Sequence, residues 1–148
     1  MAETLGSLCD KLVTVKLKMW HSEDPERLKS LAAQEQQLHK ELGEFITDAI
    51  SGQIPPERLT FAANKVYKKE GNEPEGFAGS LGELFSKLAD VNCRLWHVQE
   101  KVYEFESVPV VEKDGVIKQL AILNLERNNC IDNLDRELQK TVQKARAA

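Results

Sequence analysis

Leu5-Gly-Ser-Leu-Cys-Asp-Lys-Leu-Val-Thr-Val-Lys-Leu-Lys-Met-Trp-His21 aligns without gaps on Leu81-Gly-Glu-Leu-Phe-Ser-Lys-Leu-Ala-Asp-Val-Asn-Cys-Arg-Leu-Trp-His97, at an offset of 76. Leucine, glycine, lysine, valine and the Trp-His pair recur at matched positions. In the first copy Leu5, Leu8, Leu12, Val15 and Met19 alternate steps of three and four, the spacing that places apolar side chains along one stripe of an α-helix. The second copy continues the pattern through Leu81, Leu84, Leu88, Val91, Leu95, Val98 and Val102. Each copy is followed by a second striped segment. Leu31, Leu38, Leu42 and Ile46 of the first fall on Leu123, Cys130, Leu134 and Leu138 of the second at an offset of 92. The repeated unit is therefore a helical hairpin, too thin to bury its stripes alone. Two such hairpins packed together predict an all-α four-helix bundle.

The boundaries follow from cap chemistry. Asp24-Pro25-Glu26 reads as an N-cap, a proline at the first helical position and an acid in the first turn, so the first helix ends near Ser22 to Asp24 and a second runs to Gly52. Ile54-Pro55-Pro56 predicts a short Pro-initiated helix to about Lys69, and Glu70 to Gly79 reads as an exposed loop. Ser80-Leu-Gly-Glu83 is a capping box for the third helix. That helix cannot pass Pro109, and Lys113-Asp-Gly115 is a turn signal ahead of the fourth. One domain over 1–148 is expected, with repeat 1 at about 4–52, a connecting helix and loop at 53–79, and repeat 2 at about 80–146.

The 148 residues, 41% hydrophobic and 30% charged with 8 Gly and 5 Pro, suit one globular helical domain and exclude disorder as the main state. A net charge of −4 gives no general attraction to phosphate backbones or anionic lipid, so neither nucleic acid nor membrane is expected as a partner. Cys9, Cys93 and Cys130 form no CxxC pair and are odd in number, which fits a reducing cytoplasm. No apolar run reaches the roughly 18 residues of a membrane span, and Met1-Ala-Glu-Thr4 lacks the pattern of a secretory leader.

Three constellations are candidates for function. Trp20-His21 and Trp96-His97 occur once per repeat, and helical geometry puts each Trp about 110° from the main stripe, beside Cys9 and Val13 or Phe85 and Ala89. This second apolar sector needs a cover, either the Pro-rich helix or a second subunit, and a homodimer through the Trp faces of the first and third helices is expected. Asp24 and Glu100 lie three residues after the two histidines, so His21, Asp24, His97 and Glu100 also suggest a metal site without catalysis. The competing reading makes Asp24 an N-cap and each His a hydrogen-bonded edge residue.

Glu35 and Arg127 occupy equivalent seam positions where an apolar residue is due. They predict a buried ion pair on the pseudo-twofold axis, extended by Asn92, Asn124 and Asn128, since an unpaired buried charge is costly. A small helix rotation would instead let both snorkel to the rim, and a polar ligand pocket is a third reading. The remaining constellation is Glu41, Glu44 and Asp48, carboxylates one helical turn apart, with Asp90 on the third helix. These could hold Mg²⁺ or Mn²⁺ against a phosphorylated substrate, while the plainer reading is a solvated acidic face. No phosphate-binding glycine loop, nucleophile elbow or zinc spacing is present.

The Glu41 to Glu44 segment resembles the E-x-x-E helix of the all-α nucleoside-triphosphate pyrophosphohydrolases, with two departures: Lys87 stands where their second motif needs an acid, and the separation is long. Gly82-Glu-Leu-Phe-Ser-Lys-Leu through Trp96-His97, followed by Leu123-Asn-Leu-Glu-Arg-Asn-Asn-Cys-Ile-Asp132, is similar to a bacterial family of all-helical proteins. In that family G-E-L-I-D-K-L leads into a Trp-His or Tyr-His helix, and the partner helix reads L-N-x-x-R-N-x-x-I-D. The likeness covers roughly residues 80–138. It is weaker over the first repeat, where Gln34 to Leu42 lacks the Asn and Arg. It implies an all-helical fold and bacterial cytoplasmic origin, and no activity.

The chain is thus expected to be a non-enzymatic interaction or assembly module, homodimeric, with no resident cofactor and with a protein partner as an option. The other expectation is a metal-dependent hydrolase of a nucleotide or phosphorylated small molecule, with Glu41, Glu44, Asp48 and Asp90 as ligands to Mg²⁺ or Mn²⁺.

Overall fold

The computed structural model describes residues 2–61 and 79–147. Four α-helices follow one another, α1 (Leu5–Trp20), α2 (Pro25–Ser51), α3 (Leu81–Tyr103) and α4 (Val110–Ala147), and there are no strands among the described residues. Thr4 caps α1 through a reciprocal box with Ser7, each side chain bonding the other residue's backbone N–H. Asp24 caps α2, accepting from the Arg27 N–H at 3.2 Å, with Pro25 at the first helical position. Gly52 closes α2 at φ 89°, a left-handed conformation in which any Cβ is strained. Ser80 caps α3 by accepting from the Glu83 N–H, while the Glu83 carboxylate accepts from the Ser80 hydroxyl rather than from its backbone.

The Pro-initiated segment begins with a single 3₁₀ turn over Pro56–Arg58. The rest of the helix expected to Lys69, and nearly all of the loop after it, lie outside the described residues. The turn expected at Lys113-Asp-Gly115 is not formed. A 3₁₀ turn over Phe105–Ser107 makes the connection instead, and α4 starts at Val110 and runs straight through Gly115. Gly115 is exposed with open space around it, so it costs α4 only its poor helix propensity, about 1 kcal/mol. Burial of Val116 one residue on, and of Leu123 two turns further, offsets that cost. Pro109 sits just ahead of the helix, where its missing N–H leaves no bond unmade, and its carbonyl accepts from Glu112 N–H at 2.9 Å.

Packing centres on α1, which meets α2 on one side and both α3 and α4 on the other. Its Leu8 and Val15 bury against Leu31 and Leu38 of α2. Its Leu5 and Cys9 join the main core, built from Leu84, Leu88, Val91, Leu95 and Val98 of α3 and Leu123, Cys130, Leu134 and Leu138 of α4. Asp10 of α1 stands beside Asn92 of α3, and His21 beside Trp96, so these two helices run in the same direction. With 38 residues, α4 is about 57 Å long at 1.5 Å per residue and outreaches the 23-residue α3. Its carboxyl-terminal part binds the end of α2 and the turn after it: Gln139 Nε2 donates to the Pro56 carbonyl at 2.7 Å, and Arg146 Nη2 to the Ala49 carbonyl at 2.6 Å.

The hairpins do not pack with full twofold symmetry. α1 contacts α4 broadly, whereas α2 and α3, the repeat-equivalent pair, make little contact.

Candidate functional site

The two Trp-His pairs have separate fates. His21 closes the C-terminus of α1, its backbone N–H bonding the Leu17 carbonyl at 3.1 Å and its Nδ1–H donating to the same oxygen at 2.8 Å. Pinned this way, its ring stacks on Trp96 with centroids 4.5 Å apart and an interplanar angle of 21°. Trp96 is half-buried, and its indole Nε1–H, shielded from solvent, has no acceptor among the described residues. Trp20, by contrast, is 86% exposed, and His97 is exposed on α3. Trp20 and Trp96 therefore differ in surroundings, one free in solvent and the other stacked against the end of α1. The four-residue metal site does not assemble either. Asp24 is occupied as a helix cap and His21 in the stack, and no group of three or more His, Cys, Asp or Glu is placed to hold an ion among the described residues.

Glu35 and Arg127 do not pair. Because α2 lies along α1, Glu35 turns to Lys16, whose Nζ donates at 2.8 Å, with His39 Nε2 at 3.7 Å. The Lys16 ammonium holds the Glu35 carboxyl below the usual carboxylate range. Arg127 keeps its Nε buried and, among the described residues, without a hydrogen-bond partner. The asparagines satisfy themselves locally. Asn92 Nδ2 donates to Asp10 at 2.9 Å and to the Leu88 carbonyl at 3.1 Å, and Asn124 Nδ2 to the Leu120 carbonyl at 3.1 Å. Asn128 is half-buried on α4.

The buried polar centre lies elsewhere. Gly6, at the amino end of α1, donates its N–H to Asp135 Oδ1 at 2.7 Å. Asp135 and its neighbour Asp132, three residues apart on α4, are both buried. Burial pushes the Asp135 carboxyl up to about 6, aided by the charge of Asp132 and opposed by the Gly6 N–H and the Thr4 side chain. The site is the positive end of the α1 dipole resting on a carboxyl of α4. The signal for it in the sequence is Ile131-Asp-Asn-Leu-Asp135, two acids embedded in an apolar stripe.

A cleft of about 260 Å³ opens between the start of α1, the second half of α2 and the 3₁₀ turn. Glu3, Glu41, Glu44, Asp48, Phe45, Arg58 and Phe61 help line it. Three of the four carboxylates expected to act together are therefore neighbours. Asp90 is not one of them: it lies exposed on α3, paired with Arg94 at 3.2 Å. The acids of the cleft are also partly engaged, Glu3 by Lys11 and the Ser7 hydroxyl, Glu41 by Gln37 and Glu44 by Lys40. Lys11 and Ser7 together hold the Glu3 carboxyl below its ordinary range.

Among the described residues the fold is all-α, four α-helices arranged as a duplicated hairpin. Compared with known protein families, with curated proteins and with solved structures, the chain matches none.

Proposed function

We propose that the chain is a non-enzymatic interaction module that self-associates through apolar helix faces. The observation behind this reading is the set of large apolar side chains left in solvent on otherwise well-packed helices. Trp20, Ile50, Phe85, Tyr103, Val110 and Val111 are all exposed, although the same helices bury their other stripes. Apolar surface of this kind marks partner sites in folded proteins. A reducing, cytoplasmic setting belongs to the same reading. It is supported by three free thiols, two of them buried and pushed up to about 11 by burial, where a cysteine behaves as a small apolar side chain. Native mass spectrometry of the full chain across a concentration series tests self-association. A dimer that dissociates on dilution supports it, and a single-chain mass at every concentration overturns it.

A second reading is favoured by one observation, the gathering of Glu41, Glu44 and Asp48 around the cleft beside α1. It makes the chain a hydrolase that uses Mg²⁺ or Mn²⁺ on a phosphorylated small molecule. Release of pyrophosphate or phosphate from a nucleotide panel with either metal tests it, and background rates throughout would remove it. It ranks second because Asp90, its fourth ligand, stands on another helix and no three His, Cys, Asp or Glu are close enough to hold one ion among the described residues.

A further inference from the structure

The chain is built twice and makes one of its contacts once. In the first repeat, α1 lays Gly6 against α4 so closely that an added Cβ would stand 2.5 Å from the Ile131 carbonyl oxygen. Leu5 and Cys9, on either side of Gly6, are buried in the main core, as are Leu138 and Val142 of α4. The repeat offsets carry this contact to a second place. Leu5, Gly6 and Cys9 of α1 become Leu81, Gly82 and Phe85 of α3, while Asp135, Leu138 and Val142 of α4 become Gly43, Ile46 and Ile50 of α2.

Among the described residues that second contact is not made. Gly82 and Gly43 have nothing within 4 Å of where a Cβ would stand. Phe85 is 38%, Ile46 39% and Ile50 65% exposed, although their repeat mates Cys9, Leu138 and Val142 are each below 9%. Among the described residues α2 packs mainly on α1 and α3 mainly on α4, and the two helices that carry these faces make little contact with each other.

The geometry points to a second copy of this chain as the occupant, the α3 face of one protomer seated on the α2 face of the other, and the reverse. The two faces descend from surfaces that fit together in the α1–α4 contact: Phe85, Ile46 and Ile50 keep large apolar side chains at the matched positions, while His39 stands where α4 has Ile131 and Leu81 packs against the chain's own core. Each copy carries one of each, so a single twofold rotation pairs both and closes the assembly with neither left over. Glycine at both centres admits the close backbone approach that Gly6 makes inside the chain. Asp135 has glycine as its mate, so the contact between copies has no carboxylate for the Gly82 N–H and depends on apolar burial. This rests on the self-association proposed above and assigns its surface.

The test is complementation by mixing, read by native mass spectrometry and light scattering on the full chain. Wild type runs at twice 16.7 kDa. Phe85→Glu spoils the α3 face and Ile50→Lys the α2 face. Because each homodimer would contain two spoiled junctions, each variant alone runs at the single-chain mass. An equimolar mixture recovers the double mass, since the mixed pair has one wild-type junction and one that sets Glu against Lys. If wild type is dimeric but the mixture stays at the single-chain mass, or either variant remains dimeric alone, this surface is wrong while self-association stands. A wild type of single-chain mass at all concentrations overturns both. Circular dichroism confirms that each variant is folded, and Phe85→Ser with Ile46→Lys replaces any variant that is not.

Discussion

Replacing Gly6 by alanine asks α4 to move. The new Cβ would meet the Ile131 carbonyl oxygen at 2.5 Å, and Asp135 Oδ1 and Ile131 Cγ2 at 2.9 Å. One of these is backbone in the middle of a long helix, which no side-chain rotation relieves. Overpacking of this kind costs about 1–3 kcal/mol. Separation of the helices also stretches the Gly6 N–H bond to Asp135, and a bond to a charged group contributes about 1.5–3 kcal/mol. Alanine returns about 1 kcal/mol of helix propensity over glycine. The net expectation is a loss of about 2 kcal/mol, which for a chain of this size lowers the thermal midpoint by about 4–8 °C. Gly115→Ala is the matched control, because an added Cβ there meets nothing within 4 Å. It gains the same propensity without a clash and raises the midpoint by about 2–4 °C. Thermal unfolding followed by far-UV circular dichroism reads both variants. A Gly6→Ala midpoint equal to or above wild type would show that α1 does not press on α4 as described.

Three further outcomes follow from the same structure. Burial pushes the folded Asp135 carboxyl up to about 6, above its ordinary value near 4, so the native state takes up its proton more readily. Its contribution is then fully present below about pH 4 and is lost as pH rises through 6, by roughly 3 kcal/mol at 1.36 kcal/mol per unit. Asp135→Asn should flatten the midpoint-against-pH curve over that window, and an unchanged curve would count against a buried, protonating Asp135. Trp20→Phe leaves the half-buried Trp96 as sole indole and should shift fluorescence emission to the blue, whereas Trp96→Phe leaves the exposed Trp20 and shifts it to the red; equal spectra would contradict the His21 stack. Leu88→Ala, at a fully buried α3 position, should cost about 2–5 kcal/mol in denaturant unfolding, and a cost below 1 would mean the α3–α4 core is looser than drawn.

The helices themselves were legible because their stripes are long and their caps explicit: Asp24-Pro25 and Gly52 bound α2 where the residues indicate. The start of α4 was not. Lys113-Asp-Gly115 has local turn chemistry, and only the burial of Val116, a tertiary fact, overrides it. Repeat alignment placed Trp20 and Trp96 in the same role, yet the stack of His21 on Trp96 depends on which helix lies beside α3, and that choice breaks the symmetry. Glu35 and Arg127 failed as a pair for the same reason, since α2 faces α1 and gives Glu35 to Lys16. Glu41, Glu44 and Asp48 were legible as one face, because i, i+3 and i+7 spacing is internal to a helix. Asp90 was not, because its relation to them crosses helices.

The grip of α4 on the first hairpin sets an order on synthesis. Gly6 waits 129 positions for Asp135, and the Ala49 carbonyl waits 97 for Arg146. A ribosome that has released α1 and α2 has made a hairpin whose amino end and last turn both lack their partners, and whose Leu5 and Cys9 have no core to enter. Such long closures are slow to form, and the early hairpin is exposed to wrong pairings until the second half of α4 emerges. The amino-terminal half therefore depends on the latest-made turns for its final shape, and a nascent chain stalled within α4 would leave it open.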